Sequence, residues 1–227
     1  MRYNQRRKSW FSNLSIVGWF ILITIIISIF AFIIFTIPGG IDYLALKPSN
    51  IMQGEYVWTL LSHIFVHGSI FHLFINMFVL FSLGSLSEKI IGRKRFFWFY
   101  ILSGIFAAIL AVIFPVLYGK TTLGARIFGS PDVYMVGASG AIFAIAGLFV
   151  MLLPRLRFMI IFLPFFSLPA YIMVPLVLLI TWLATIAGNF PIGNTAHFGG
   201  FIAGLVYGIY LRTKYKRKVL MLQKMFR

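Results

Sequence analysis

The sequence contains no cysteine and only four acidic residues in 227. The absence of cysteine excludes disulfides, thiolate metal sites and a cysteine nucleophile. The scarcity of carboxylates leaves 20 Lys and Arg unbalanced, at a formal net charge of +16, and charged residues make up only 11% of the chain. A soluble domain is about a quarter charged, so this chain cannot cover itself with polar surface. What takes the place of charge is apolar: 61% of residues are hydrophobic and the mean hydropathy is +0.98. Lipid is the natural solvent of such a chain. A basic excess can also signal nucleic acid. Here the basic residues fall between apolar runs and not along one soluble face, so no nucleic-acid partner is expected and membrane lipids are.

Six apolar segments lie at about 14–37, 70–88, 96–118, 135–153, 168–187 and 195–211, near the roughly 20 residues with which a helix crosses a bilayer. They predict an all-α, polytopic membrane protein. One membrane domain over 14–211 would stand between a basic N-terminal segment, 1–13, and a basic tail, 212–227. The basic run Arg2, Arg6, Arg7 and Lys8 before the first apolar segment resembles a signal peptide. The uncharged stretch Leu14–Ile37 is long enough to span and no small-residue cleavage site follows, which predicts an uncleaved first helix. Residues 40–69 are mixed and aromatic, and are expected as short helices and loops at the interface. Pro154 bounds the fourth span and Pro175 lies inside the fifth, where a bundle tolerates it.

With the N-terminus inside, 17 basic residues fall on the inner side and three, Lys47, Lys120 and Arg126, on the outer. The excess of inner-side Lys and Arg places both termini in the cytoplasm. A compact chain of this kind suits a prokaryotic plasma membrane.

In that orientation the second, fourth and sixth spans run in the same direction, and each carries polar residues near its outer end: His72 and Asn76, Ser139, and His197. At about 1.5 Å per residue, Ser139, His197 and His72 each lie about 22–24 Å from the inner ends of their helices. Three segments agree on one layer, inside a hydrocarbon core of about 30 Å. A lone buried serine is usually bonded back to its own helix, and a lone histidine is as often structural as functional. A set at one depth points instead to function.

Serine with histidine is the minimal nucleophile and base. His72 and Asn76 are spaced i, i+4 and share a helix face. Both can donate to a developing oxyanion, as can the Ser139 backbone amide. No carboxylate lies at this depth, so a dyad is expected and not a triad. A catalytic zinc would need three protein ligands. His63, His67, His72 and His197 follow no H-E-x-x-H pattern and have no acidic ligand at their level, so no metal and no cofactor is expected.

The serine lies in Gly137-Ala138-Ser139-Gly140, a motif weak by itself. The last span reads Ala196-His197-Phe198-Gly199-Gly200, with Gly204 and Gly208 continuing a four-residue stripe that predicts close helix packing. Ala144 and Gly147 are the expected opposite face. With His67…His72-x-x-x-Asn76 on the second span, these motifs in this order resemble those of rhomboid family intramembrane serine proteases. The resemblance covers about residues 14–211 and implies the basic six-span bundle without a seventh helix. It implies Ser139 as nucleophile, His197 as base, and His72, Asn76 and the Ser139 amide as oxyanion hole, with Gly137, Gly140, Phe143 and Gly200 in support. Phe143 would pack against the catalytic histidine, Glu88 would have a structural hydrogen-bonding role, and Trp58 would match the first member of a Trp-Arg pair in the first loop. Thr59 stands where that pair has arginine. The outer loops 118–134 and 188–194 would cap the site, and Trp182 on the fifth helix is the candidate for a substrate gate. The substrates implied are other transmembrane proteins. Two rivals have a sequence basis: a non-enzymatic binder of transmembrane clients, and a small transporter relaying protons through the buried histidines.

Overall fold

A computed structural model describes residues 14–160, 163–188 and 192–226. The basic residues at 2–8, part of the 188–194 loop and Arg227 lie outside the described residues. Helix α1 (Ile16–Ile34) opens on Ser15, whose hydroxyl accepts the Gly18 N–H. Residues 40–69 hold two 3-10 turns, Gly40–Tyr43 and His63–Phe65, and two short helices, α2 (Pro48–Met52) and α3 (Thr59–Ser62). A continuous rod follows, made of α4 (Ile70–Val79), a π-helical turn over 80–84, and α5 (Ser85–Ile91). Gly92, at φ 87°, breaks it before α6 (Arg93–Tyr118). Then come α7 (Thr122–Phe128), α8 (Ser139–Leu152), a hairpin of strands β1 (Arg157–Ile160) and β2 (Leu163–Pro169), α9 (Ala170–Gly188), α10 (Asn194–Lys214) and α11 (Lys216–Met225).

The all-α membrane bundle is present, with corrections of detail. Four helical stretches, 16–34, 70–91, 93–118 and 170–188, are long and apolar enough to cross a membrane. The fourth and sixth expected spans differ for separate reasons. Helix α8 has 14 residues, about 21 Å at about 1.5 Å per residue. Helix α10 has 21 residues, but its glycines and terminal charges dilute its apolar character. The segment between the fourth and fifth spans is an antiparallel hairpin, Arg157 pairing with Pro169 and Met159 with Ser167. The 211/212 boundary falls inside α10, and most of the basic tail is the helix α11.

Helix α8 is the central element. Ala141, Ala144, Ile145, Leu148 and Phe149 on it are at most 1% exposed. Its short length and small residues let α6, α10 and the 70–91 rod close around it. The packing against α10 is backbone on backbone. A Cβ built on Gly200 would fall onto the carbonyl oxygen of Gly140, and one on Gly204 onto that of Ala144. On Gly147 it would meet the Phe201 carbonyl oxygen at 2.5 Å. The glycine stripe and its opposite face thus meet as their spacing requires.

At the other end, Glu88 ties the rod to α1. Its carboxylate accepts the N–H of Ile16 at 3.0 Å and of Val17 at 2.9 Å, and Arg93 lies 3.7 Å away. The first amides of a helix have no intrahelical partner and carry the positive end of its dipole, so a buried carboxylate satisfies both needs.

Candidate catalytic site

Ser139 is the first residue of α8, directly after the positive-φ Gly137 and Ala138. Gly137 has φ 126°, which side chains avoid. A Cβ there would stand 2.8 Å from His72 Cε1, 3.0 Å from His72 Nε2 and 3.8 Å from Ser139 Oγ. The missing side chain therefore leaves a gap into which the histidine ring and the serine hydroxyl both face. At the N-terminus of α8 the Ser139 N–H has no intrahelical partner and sits at the positive pole of the helix.

His197 comes from the first turn of α10. Its Nε2 lies 2.8 Å from Ser139 Oγ, a hydrogen bond across 58 residues of sequence. Phe143, one turn below the serine, stacks on the imidazole with ring centroids 4.5 Å apart and planes at 24°. The other ring nitrogen, Nδ1, is buried and meets no hydrogen-bond partner among the described residues. No carboxylate orients this histidine; the ring stack and the α8–α10 seam do.

Asn76 is 6% exposed, one turn below His72. Its Nδ2 donates to the His72 carbonyl at 2.9 Å, which uses one of the two amide hydrogens. Among the described residues no hydrogen bond joins Asn76 or His72 to Ser139. Gly140 and Gly200 lie on the seam beside the Ser139–His197 pair. Trp182 is bonded away from the Ser139–His197 pair: its Nε1 donates to the Ile127 carbonyl of α7 at 2.6 Å, and its ring meets Phe198 edge-on.

Sequence reasoning left His67 without a partner, and the structure supplies one. His67 is fully buried. Its Nε2 accepts the Ala138 N–H at 3.4 Å, and its Nδ1 lies 3.1 Å from Ser28 Oγ on α1. An accepting Nε2 assigns the proton to Nδ1, so His67 donates to Ser28, whose hydroxyl donates to the Phe65 carbonyl at 3.1 Å. The Gly137 N–H donates to the His63 carbonyl at 2.9 Å. The two peptides before Ser139 are thereby held by the first loop and, through His67, by α1. No spacing rule links residues 28, 67 and 138.

The first loop itself is anchored without the missing arginine. Trp58 Nε1 donates to the Tyr43 carbonyl at 2.9 Å, and Thr59 Oγ1 to the Tyr56 carbonyl at 2.7 Å. Asp42 accepts from Asn50 Nδ2 at 2.8 Å and from the Tyr134 hydroxyl at 2.6 Å. Leu46 and Met135 exchange backbone bonds. Asp42 and Leu46 thus pin this loop to the segment that leads into Ser139. The Tyr134 hydroxyl, with further help from Asn50 and Lys47, holds the Asp42 carboxyl below its ordinary range despite partial burial. The same bond, with burial, raises the Tyr134 phenol to about 12.

Comparison with known proteins gives one family. A model of the Rhomboid domain matches residues 54–214. The chain is 26% identical over 212 residues to the bovine presenilin-associated rhomboid-like protein, mitochondrial, covering 92% of this chain and 52% of the relative. It is 29% identical over 173 residues to Rhomboid protein 1, mitochondrial, of Saccharomyces cerevisiae, covering 73% and 46%. It is 29% identical over 167 residues to RHOMBOID-like protein 5 of Arabidopsis thaliana, covering 74% and 48%. The chain spans about half the length of these curated relatives.

Proposed function

This chain belongs to the rhomboid family, and from that premise we propose that it is an intramembrane serine protease that hydrolyses peptide bonds in or near transmembrane segments of other membrane proteins. The observation that carries the reading is the 2.8 Å contact between His197 Nε2 and Ser139 Oγ. It lies at the N-terminal end of a buried helix, with Phe143 stacked on the imidazole.

In this reading Ser139 Oγ bonds to the scissile carbonyl carbon while its proton passes to His197 Nε2. The carbonyl electron pair becomes an oxyanion, met by the Ser139 amide at the α8 N-terminus, His72 Nε2–H and the second amide hydrogen of Asn76. Collapse breaks the C–N bond, and the proton on Nε2 leaves with the amine. A water then repeats the sequence on the acyl-enzyme: its proton goes to Nε2, its oxygen to the acyl carbon, and the serine recovers its hydrogen. No cofactor is needed. A neutral imidazole performs both transfers, and the absence of an orienting carboxylate makes the pair a dyad.

Six spans over 14–211, with basic termini in the cytoplasm and Ser139 opening to the outer side, follow from the charge bias. The compartment we propose is a prokaryotic plasma membrane; the relatives above are eukaryotic. Helix α9 is the substrate gate in this reading. Only 22% of its best spanning window is buried, the smallest share among the four long apolar helices, and Trp182 is its latch to α7. The test is cleavage of a model transmembrane substrate by the purified protein, together with labelling by a serine-directed fluorophosphonate. Both should vanish in Ser139→Ala; equal cleavage by that variant refutes the assignment. A client-binding or proton-relay protein would show neither.

A further inference from the structure

The end of the bundle remote from Ser139 carries a second polar recess, about 21 Å away along α8 at about 1.5 Å per residue. It is a cavity of about 200 Å³ between the C-terminus of α8, the segment leading to β1, the end of α10, and α11. Arg155 and Arg212 line it, with Gln223, Pro154 and Phe226. The Gln223 amide donates to the Leu152 carbonyl at 3.0 Å and Val219 is 7% exposed, so α11 is fixed as a wall and does not trail as a loose tail.

Three other arginines at this end are engaged within the bundle. Arg157 donates to Ser167, Arg95 donates to Tyr215, and Arg93 faces Glu88. Arg155 and Arg212 have no hydrogen bond, ion pair or ring contact among the described residues. The chain has four carboxylate side chains. Asp42 and Glu88 are engaged as described above, and Glu55 and Asp132 lie in the loops at the Ser139 end. Among the described residues no side-chain carboxylate faces this recess, which leaves its two exposed guanidinium groups open to an external anion.

The position says which. The apolar run of α10 ends at Leu211, immediately before Arg212, which puts the recess at the level of lipid headgroups. Helix α11 is amphipathic: Lys216, Arg217, Lys218 and Lys224 share it with Leu220, Met221 and Met225, which are 50%, 66% and 79% exposed. A helix of that composition lies in the interface with its apolar side chains among acyl chains.

We propose that Arg155 and Arg212 bind the phosphate of an anionic phospholipid, with α11 as the basic wall of the site. Two guanidinium forks match the paired oxygens of a phosphodiester. The surrounding cations repel a choline headgroup, so the site selects phosphatidylglycerol over phosphatidylcholine. This inference is independent of the protease reading.

The test uses the full chain in phosphatidylcholine vesicles doped with spin-labelled phosphatidylglycerol, reading the motionally restricted lipid. Folding is monitored separately by thermal unfolding. The unaltered protein should restrict phosphatidylglycerol in preference to a phosphatidylcholine label. Arg155→Gln/Arg212→Gln should weaken this about fivefold per arginine, the usual yield of one basic residue at a membrane surface. Arg155→Lys/Arg212→Lys keeps the charge but removes the forks, and should also lose most of the selectivity. Full selectivity in the lysine variant, or an equal loss in Lys216→Gln/Lys218→Gln, would reduce the effect to net charge and overturn the site. Displacement of the label by inorganic phosphate at similar concentration would overturn the lipid as its ligand.

Discussion

A Gly200→Ala substitution sets its Cβ on the carbonyl oxygen of Gly140 and 2.8 Å from that carbonyl's carbon. Both are backbone atoms of α8, so no rotamer change relieves the contact. Carbon atoms rest about 3.5–4.0 Å apart, so α10 must retreat from α8 by about 1 Å. His197 lies three residues earlier on α10, and Ser139 adjoins Gly140. The same retreat therefore opens the 2.8 Å dyad contact by about 1 Å, past hydrogen-bonding distance. A misplacement of that size costs about 10²-fold in turnover, and the overpacking costs about 1–3 kcal/mol of stability. The assay is kcat/KM on a model transmembrane substrate beside thermal unfolding in the same detergent. Gly208→Ala supplies the comparison. It meets the Met151 side chain at 2.5 Å and lies two further turns from the histidine. Its stability loss should be similar and its activity loss much smaller. Activity of Gly200→Ala within threefold of the unaltered protein, or a Gly208→Ala variant that loses more, would refute the idea that this seam sets the dyad distance.

Other consequences can be checked separately. His72→Ala and Asn76→Ala should each lose about 10²–10³ in turnover, as removal of one oxyanion donor does elsewhere, with thermal stability largely kept. Unchanged kinetics in both would remove them from the site. Ser28→Ala strips the acceptor from the buried His67 Nδ1–H and should cost about 1–3 kcal/mol. It should also slow turnover through the displaced Ala138 peptide, although Ser28 lies on α1, away from the dyad. Tyr134→Phe should lower stability by about 1 kcal/mol, a charged hydrogen bond discounted for partial exposure. The pH dependence of that difference follows from the two shifts. Asp42 is lowered, so its contribution is complete above the ordinary carboxylate value of about 3.9 and fades as pH falls below it. Tyr134 is raised to about 12, so its contribution is complete below the ordinary phenol value of about 10 and is lost as pH rises through 12. The gap between Tyr134→Phe and the unaltered protein should therefore be flat from pH 5 to 9 and narrow outside that range, as thermal melts across pH will show.

Depth counting along three helices brought Ser139, His197 and His72 to one layer because a helix converts residue number into height at a fixed rate. The glycine spacing of α10 identified its seam for a related reason, since small residues every fourth position leave only one face for close approach. Where no such conversion exists, the sequence was silent. The Ser28–His67–Ala138 chain joins three segments whose register is set by tertiary packing. The hairpin at 157–169 is an apolar run interrupted by prolines, and pairing between strands leaves little mark in a single lipid-soluble stretch. Helix α11 reads as a basic tail by charge, and its anchoring depends on Val219 and Gln223 meeting α8. Thr59 stands where the resemblance expects an arginine, yet the loop is held by Asp42 and its partners, which only proximity to Tyr134 reveals.

Helix α8 has 14 residues, and its length bears on supply. Hydrolysis consumes one water for each bond cut, and hydrocarbon provides almost none. A helix reaching about 21 Å into a core of about 30 Å leaves about 9 Å of depth that no helix fills, roughly three water diameters above the nucleophile. Helix α6, which passes Gly140 at Ala107 and runs on to Tyr118, stands beside that shortfall as a wall. If the chain is the protease proposed above, the residues α8 does not have make room for the second substrate.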